Sequence, residues 1–271
     1  MIKQAIIPLA GLGTRLLPLT SVFAKELLPI NGKPGIEFII DECIEAGIKE
    51  IIFIISKKKI MIKKYFYNDQ FYKNIIKKKK DPRILNEYKK ILRYRKMIKF
   101  VYQKKPLGTG DAVLKTKKFI KDKFFLMLLP DDLIIKKNCS KSMISIHNKY
   151  KSSVMASMTV SSKSVSRWGI YKLKKKIDKN NYQIQDVIEK PNINNAPSNK
   201  AVIGRYILPK SIFKKLTKQK AGKGGEIHVT DAIQSLIKDK ENFIAHNFSG
   251  KYLDCGTMEG YINSTLEMSK L

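Results

Sequence analysis

Arginine is scarce in this sequence: six residues, against 48 lysines, among 271. Proteins that read base edges lean on the bidentate guanidinium fork. A net charge of +31 carried almost wholly by lysine would attract polyanions, but it argues against sequence-specific nucleic-acid recognition. Abundant lysine, isoleucine and asparagine fit instead a surface drifted under an AT-rich genome. Cysteine is rare too. Cys43, Cys139 and Cys255 are odd in number and lack both CxxC and finger spacing, which excludes a disulfide framework and a structural zinc site and predicts reduced thiols. No apolar run approaches the ~18 to 20 residues that span a bilayer. The N-terminus lacks the apolar core and cleavage site of a signal peptide, so a cytoplasmic protein with no membrane partner is expected. No Pro/Gly/Ser-rich linker divides the chain, which reads as a single domain over 1–271.

Strand-like and helix-like runs alternate through the first half, as in a largely parallel sheet covered by helices. Strands are expected at Lys3–Leu9, Ile51–Ile55, Ile98–Gln103 and Phe124–Leu129. Helices are expected at Ile36–Gly47, Thr109–Lys117 and, as a lysine-rich excursion, Asp69–Lys96. From Ser153 onward strands dominate, at Ser153–Val160, Trp168–Leu173, Gln183–Ile188 and Ala201–Leu208, with Lys174–Asn181 as a hairpin tip. Helices resume at Pro209–Leu216 and Val229–Lys238. The lysine runs at 57–59, 77–80 and 174–176 read as solvated surface.

Four segments carry chemistry. The first strand runs into Ala10-Gly11-Leu12-Gly13-Thr14-Arg15, followed by Lys25 and Glu26. Two glycines let successive N–H groups turn toward one anion, and Arg15 and Lys25 add charge; the alternative is a tight strand exit. Leu16 stands where a dinucleotide fingerprint needs its third glycine, and Gly222-Lys223-Gly224 lacks the Ser/Thr of a P-loop. Gln103 ends a strand ahead of the Gly108 turn. Its amide can both donate and accept, as a pyrimidine edge offering one N–H and one carbonyl requires; a solvated strand-end residue is the alternative. Asp131 closes an apolar strand, where ligands gather in open α/β sheets, and Asp254 ends another. Such carboxylates either suit Mg²⁺ or cap a turn.

Taken in order, AGLGTRLLPLT, KELLPI, QKKPLGTGDAVL, LLPDDLI, VIEKP, AVIGRYIL, GGEIHVTDAI and LDCGTMEGY resemble the bacterial UTP:glucose-1-phosphate uridylyltransferases (UDP-glucose pyrophosphorylases), from Lys3 to Tyr261. The VIEKP, IGRYIL and DCG forms favour that family over its thymidylyltransferase relatives. The resemblance implies a Rossmann-like (glycosyltransferase A-like) α/β fold with a mixed, mostly parallel sheet. It implies a nucleotide-binding part at 1–135 and a sugar-binding part at 136–271, with UTP and glucose 1-phosphate as substrates. Ala10, Gly11, Gly13, Thr14 and Glu26 are then expected around the nucleotide, with Arg15 and Lys25 on the triphosphate and Gln103 with Gly108 at the base. Asp131 and Asp254 are expected on Mg²⁺. Asp132 stands where the family often has an apolar residue, so Asp131 takes the metal first. Glu189 would meet the sugar hydroxyls, Lys190 the sugar phosphate, and the backbones of Gly169 and Gly204 would border the sugar. A homo-oligomer is also implied, although the chain stops soon after Tyr261, where the family usually continues into a further helical segment.

Overall fold

A computed structural model describes residues 1–222 and 225–270; Lys223 and Gly224, hence part of the Gly222-Lys223-Gly224 and GGEIHVTDAI segments, lie outside it, as does Leu271. In chain order the elements are β1 (Gln4–Pro8), β2 (Pro29–Ile30), β3 (Lys33–Pro34), α1 (Gly35–Glu45), β4 (Glu50–Ile55), α2 (Ile60–Tyr67), α3 (Asp69–Lys79), α4 (Pro82–Met97), β5 (Ile98–Tyr102), α5 (Thr109–Lys115) and β6 (Phe124–Leu128). There follow β7 (Asp132–Ile135), α6 (Cys139–Tyr150), β8 (Ser153–Thr159), β9 (Gly169–Lys176), β10 (Asn181–Glu189), β11 (Lys200–Pro209), α7 (Ile212–Lys218), α8 (Val229–Lys238), β12 (Phe243–Asn247), β13 (Lys251–Asp254) and α9 (Met258–Met268).

Among the described residues a nine-stranded sheet runs in the order β5-β4-β1-β6-β11-β8-β12-β10-β9. The edge from β5 to β6 is parallel, while β11 pairs antiparallel with both β6 and β8, and β10 pairs antiparallel with β12 and β9. The sheet is therefore mixed, with its parallel ladder concentrated in the first half. The central strands have few polar residues because both of their faces are covered. Ala5 and Ile7 of β1, Ile51 and Phe53 of β4, and Leu126 and Leu128 of β6 join a core under α1, α2, α4 and α6. Their alternates Ile6, Ile52, Ile54, Phe125 and Met127 pack on the other side under α5, α7 and α8, the period of two that a pleated strand imposes.

Several helices start on side-chain caps. Asp81 accepts from the Arg83 N–H with Pro82 in the first turn of α4, Asn138 accepts from Lys141 N–H at α6, and Thr257 accepts from Gly260 N–H at α9. The helical excursion starts earlier than its composition suggests, at Ile60, since Ile62 and Phe66 lay an apolar stripe on the sheet and Phe66 meets the ring of Phe53 at 5.9 Å. The hairpin tip shrinks to residues 177–180, because β9 and β10 stay paired as far as Lys176 and Tyr182, where β10 also pairs with β12. All three thiols are buried and free, and burial pushes their pKa values up, that of Cys255 to about 12.

The chain leaves β1 toward β4 and β5, then returns past β1 to β6. The crevice at the carboxyl ends of β1 and β6 is thus a topological switch point. A short ribbon adds a second convergence: β7 pairs antiparallel with β13 and sets Asp254 opposite Asp132. No described helix is long and apolar enough to cross a membrane.

Candidate active site

The switch-point crevice opens into a cleft of about 450 Å³. Ala10, Gly11, Gly13, Thr14, Lys25, Glu26, Gln103, Gly108 and Asp131 all line it, and so does Glu226. Gly13 is left-handed, with φ 73°, which a glycine adopts without penalty. Its carbonyl accepts from Thr20 Oγ1 at 2.8 Å, and this bond ties the loop after β1 back on itself. Gly108 has φ 93°, and a Cβ there would stand 2.6 Å from the Ile227 carbonyl oxygen. Only a bare backbone lets the segment from Glu226 to Val229 seat against this turn, where Ile227 N–H donates to the Leu107 carbonyl at 2.8 Å and Gly110 N–H to that of Ile227 at 2.7 Å.

The two predicted metal carboxylates meet. A Cβ placed on Gly256 would lie 2.7 Å from Asp131 Oδ2, 3.2 Å from Asp254 Oδ1 and 3.0 Å from Arg15 Nη2. The β7–β13 ribbon brings this about, with the Cys255 N–H donating to the Asp131 carbonyl at 2.8 Å. Lys25 Nζ stands 2.6 Å from Asp131 Oδ2, and Arg15 Nη2 is 3.7 Å from the same oxygen with its side chain largely exposed. Burial alone would lower the Lys25 pKa, but the Asp131 and Glu26 carboxylates outweigh it and raise the ammonium above its ordinary value. Burial likewise opposes ionisation of Asp131, and Lys25 outweighs it and holds the carboxyl below the usual range. The pair is charged on both sides at neutral pH.

Asp132 has a different role from its neighbour. Its Oδ2 accepts from Gly204 N–H at 2.8 Å and its Oδ1 from Tyr252 Oη at 2.6 Å. Burial, followed by repulsion from Asp131, pushes its pKa up to about 6. It brackets β11 to β7 and leaves Asp131 as the open carboxylate. Arg205, fully buried, secures the same turn: it donates to the carbonyls of Leu129 (3.1 Å) and Asp132 (2.6 Å), on either side of Asp131, and pairs with both oxygens of Glu42. Truncating one partner of such a pair strands a buried charge, at a cost of about 3–5 kcal/mol. Arg205→Met is expected to lower the free energy of unfolding by that amount in a denaturant titration.

Glu189 and Gly169 face each other in the β9–β10 register, with Glu189 Oε2 3.0 Å from the position of a Gly169 Cβ. Lys190 follows in a left-handed conformation, φ 46°, its N–H donating to the Trp168 carbonyl at 3.0 Å. Both side chains are exposed and pair with no other described side chain. Gly169 lies against Val202, two residues before Gly204, whose N–H reaches Asp132, and this sets the cluster beside the carboxylate turn. A Cβ on Gly204 would run into the Asp132 carboxylate and Leu129, so the backbone at Gly204 has to stay bare.

One expectation, that Lys59 is solvated, needs correction. Glu26 lines the cleft, and its carboxylate also holds Lys59 Nζ, at 2.6 and 2.7 Å, because a buried carboxylate requires a cation. Lys59 is accordingly not solvated surface like Lys57 and Lys58. It is 5 % exposed, and burial lowers its pKa against the pull of Glu26. Lys59, Ile62 and Phe66 share one helical face, and that spacing was the available signal. Glu226 was missed because a lone carboxylate after two glycines carries no pattern. Away from the cleft, a groove of about 360 Å³ between α1 and β7 is lined by opposed charges such as Lys33, Asp41, Glu45 and Lys136 and by none of the predicted site residues.

A glycine-lined loop, a buried amide at a strand end and two carboxylates faced by two cations thus share one switch point. The sequence matches the nucleotidyl transferase family over residues 4–270. It is 38% identical to the UTP–glucose-1-phosphate uridylyltransferase of Bacillus subtilis strain 168, over 99% of this chain and 91% of that one. To UTP–glucose-1-phosphate uridylyltransferase 2 of Staphylococcus saprophyticus it is 37% identical, over 98% and 91%. A solved UDP-glucose pyrophosphorylase in complex with UDP-glucose superposes with TM-score 0.87 at 36% identity, covering 100% of this chain and 99% of that one. The UTP-bound enzyme of Acinetobacter baumannii superposes with TM-score 0.88 at 33% identity, covering 98% and 93%. The chain belongs to the nucleotidyl transferase family and, within it, to the UTP–glucose-1-phosphate uridylyltransferases.

Proposed function

We propose that the chain transfers UMP from UTP to glucose 1-phosphate and releases pyrophosphate. The observation that carries this reading is the convergence of Asp131, Asp254, Arg15 and Lys25 at the mouth of the glycine-lined cleft, reached from three separate strand ends. Relatives at 36% and 33% identity, solved with UDP-glucose and with UTP, support the same substrates.

A phosphate oxygen of the sugar phosphate bonds to the α-phosphorus as the bond to the β-phosphate oxygen breaks, and pyrophosphate leaves with that electron pair. The attacking oxygen is already anionic, so no general base is needed. What the residues must do is hold two polyanions together in line. Arg15 and Lys25 face the triphosphate, Gly11 and Gly13 cradle it through the backbone, and Gln103 with Gly108 reads the base. Lys190 takes the sugar phosphate, Glu189 the hydroxyls, and the backbones of Gly169 and Gly204 border the ring. Two hard carboxylates fit Mg²⁺, which keeps waters and phosphate oxygens as its other ligands. Asp131 and Asp254 would hold it, and it would supply Lewis-acid neutralisation of the phosphate charge. One domain, with nucleotide-side and sugar-side parts, completes the proposal; Glu226 and Asp254 reach across to the nucleotide side. A cytoplasmic location, supported by three free thiols, and a homo-oligomer, supported by the exposed Ile262 and Leu266 of α9, belong to the same reading.

The test is pyrophosphate release from UTP, dTTP, CTP and ATP, each crossed with glucose, galactose and N-acetylglucosamine 1-phosphates. Turnover is expected to be highest for UTP with glucose 1-phosphate, and pyrophosphate from no pair would end the proposal. Lys190→Ala is expected to raise KM for glucose 1-phosphate at least tenfold while leaving that for UTP within about twofold, since the lost charge faces one substrate only. A selective loss for UTP would remove Lys190 from the sugar side.

A further inference from the structure

Gln103 reaches the cleft with only half of its amide free. It is 4 % exposed, and its Nε2 donates to Asp111 Oδ2 at 2.8 Å and to the Gly108 carbonyl at 3.2 Å. A side-chain amide has two N–H bonds, and both are used. Its Oε1 has no partner among the described residues, and Gln103 lines the cleft. The amide therefore offers an acceptor and no donor, which revises the expectation that it does both.

Asp111 imposes that orientation. It lies in the first turn of α5, 4 % exposed, with its other oxygen 3.0 Å from the Lys115 ammonium one turn on. A flipped Gln103 would set its carbonyl oxygen against both a carboxylate and a carbonyl in a water-poor site, where opposed acceptors are costly.

We propose that Asp111 is a specificity-determining positioning residue: by consuming the Gln103 N–H groups it makes the cleft select a base edge that presents a ring N–H, and reject one that presents a ring lone pair. Uracil and thymine carry that N–H at N3; cytosine carries a lone pair there. A site whose buried acceptor is left unpaired by the wrong ligand discriminates far more sharply than one built on shape. The proposal rests on the nucleotide-transfer reading of the same cleft and names the group that sets its base preference.

The experiment measures kcat/KM for UTP and for CTP, with glucose 1-phosphate and Mg²⁺, in the unaltered enzyme and in Asp111→Ala, Asp111→Leu and Asp111→Asn. The expected UTP over CTP ratio falls at least tenfold in Asp111→Ala and Asp111→Leu. It stays within about threefold of the unaltered value in Asp111→Asn, whose amide oxygen still accepts from Nε2. A merely structural role lowers both activities and leaves the ratio alone, which would overturn the proposal. Titration calorimetry of the unaltered enzyme gives a check that needs no variant to fold: UTP is expected to bind at least thirtyfold more tightly than CTP, and equal affinities would overturn the proposal as well. An unaltered enzyme that turns over neither nucleotide contradicts the transfer reading, whereas turnover of UTP with an undiminished ratio in a folded Asp111→Ala contradicts only the role of Asp111.

Discussion

Replacing Asp131 by asparagine is expected to lower kcat at least a hundredfold in a protein that still folds. The carboxylate is the one group in the turn that faces both Lys25 and Asp254, and its oxygen sits with that of Asp254 at the mouth of Gly256. An amide of the same shape keeps the backbone bond from Cys255 and the Arg205 clamp on either side, so the turn keeps its course. What disappears is the negative charge that Lys25 and Arg15 face, and with it one of the two carboxylates proposed to hold the metal. Two decades in rate correspond to about 3 kcal/mol of transition-state stabilisation. Unchanged turnover in steady-state kinetics would remove Asp131 from the chemistry.

The second large effect falls on Lys25. Its ammonium is nearly buried, raised in pKa by Asp131 and Glu26 against the cost of burial, and set where the glycine turn opens. Lys25→Ala takes away the closest fixed cation from the developing pyrophosphate charge and leaves Asp131 with only Arg15, 3.7 Å off and mostly solvated. A loss of about 10² to 10³ in kcat/KM for UTP is expected, the range typical of removing one preorganised charge partner. Because the methylene stem also packs on Gly13, Lys25→Met is the sharper comparison: it keeps that packing and is expected to lose as much activity. Activity retained in Lys25→Met would point to packing in place of charge.

The legibility of this molecule differs by region for physical reasons. The strands β1, β4 and β6 stood out because they are buried on both faces, and the residues just past β1, β5 and β6 were readable as candidate site residues because ligands collect where parallel strands end. The ribbon of β7 and β13 left a faint trace: four residues a side, half-exposed, with a mixed pattern. Yet that ribbon is what brings Asp254 to Asp131. The helix α6 went unread because Ser and Lys dilute its apolar face to Cys139, Met143 and His147. Lys59 hid inside a lysine run, and only its register with Ile62 and Phe66 marks it as buried. The orientation of Gln103 depends on a carboxylate eight residues on, across a turn, and no one-dimensional pattern carries that.

On the proposed reading this cleft moves the UMP part of UTP, its α-phosphate included and its β- and γ-phosphates left behind, onto the sugar phosphate. Incubation of the enzyme with Mg²⁺, glucose 1-phosphate and UTP labelled either at the α- or at the γ-phosphate tests it directly. The α label is predicted to appear in UDP-glucose and the γ label in pyrophosphate, each only when the sugar phosphate is present. The α label recovered as free UMP, or the γ label as orthophosphate, would contradict it.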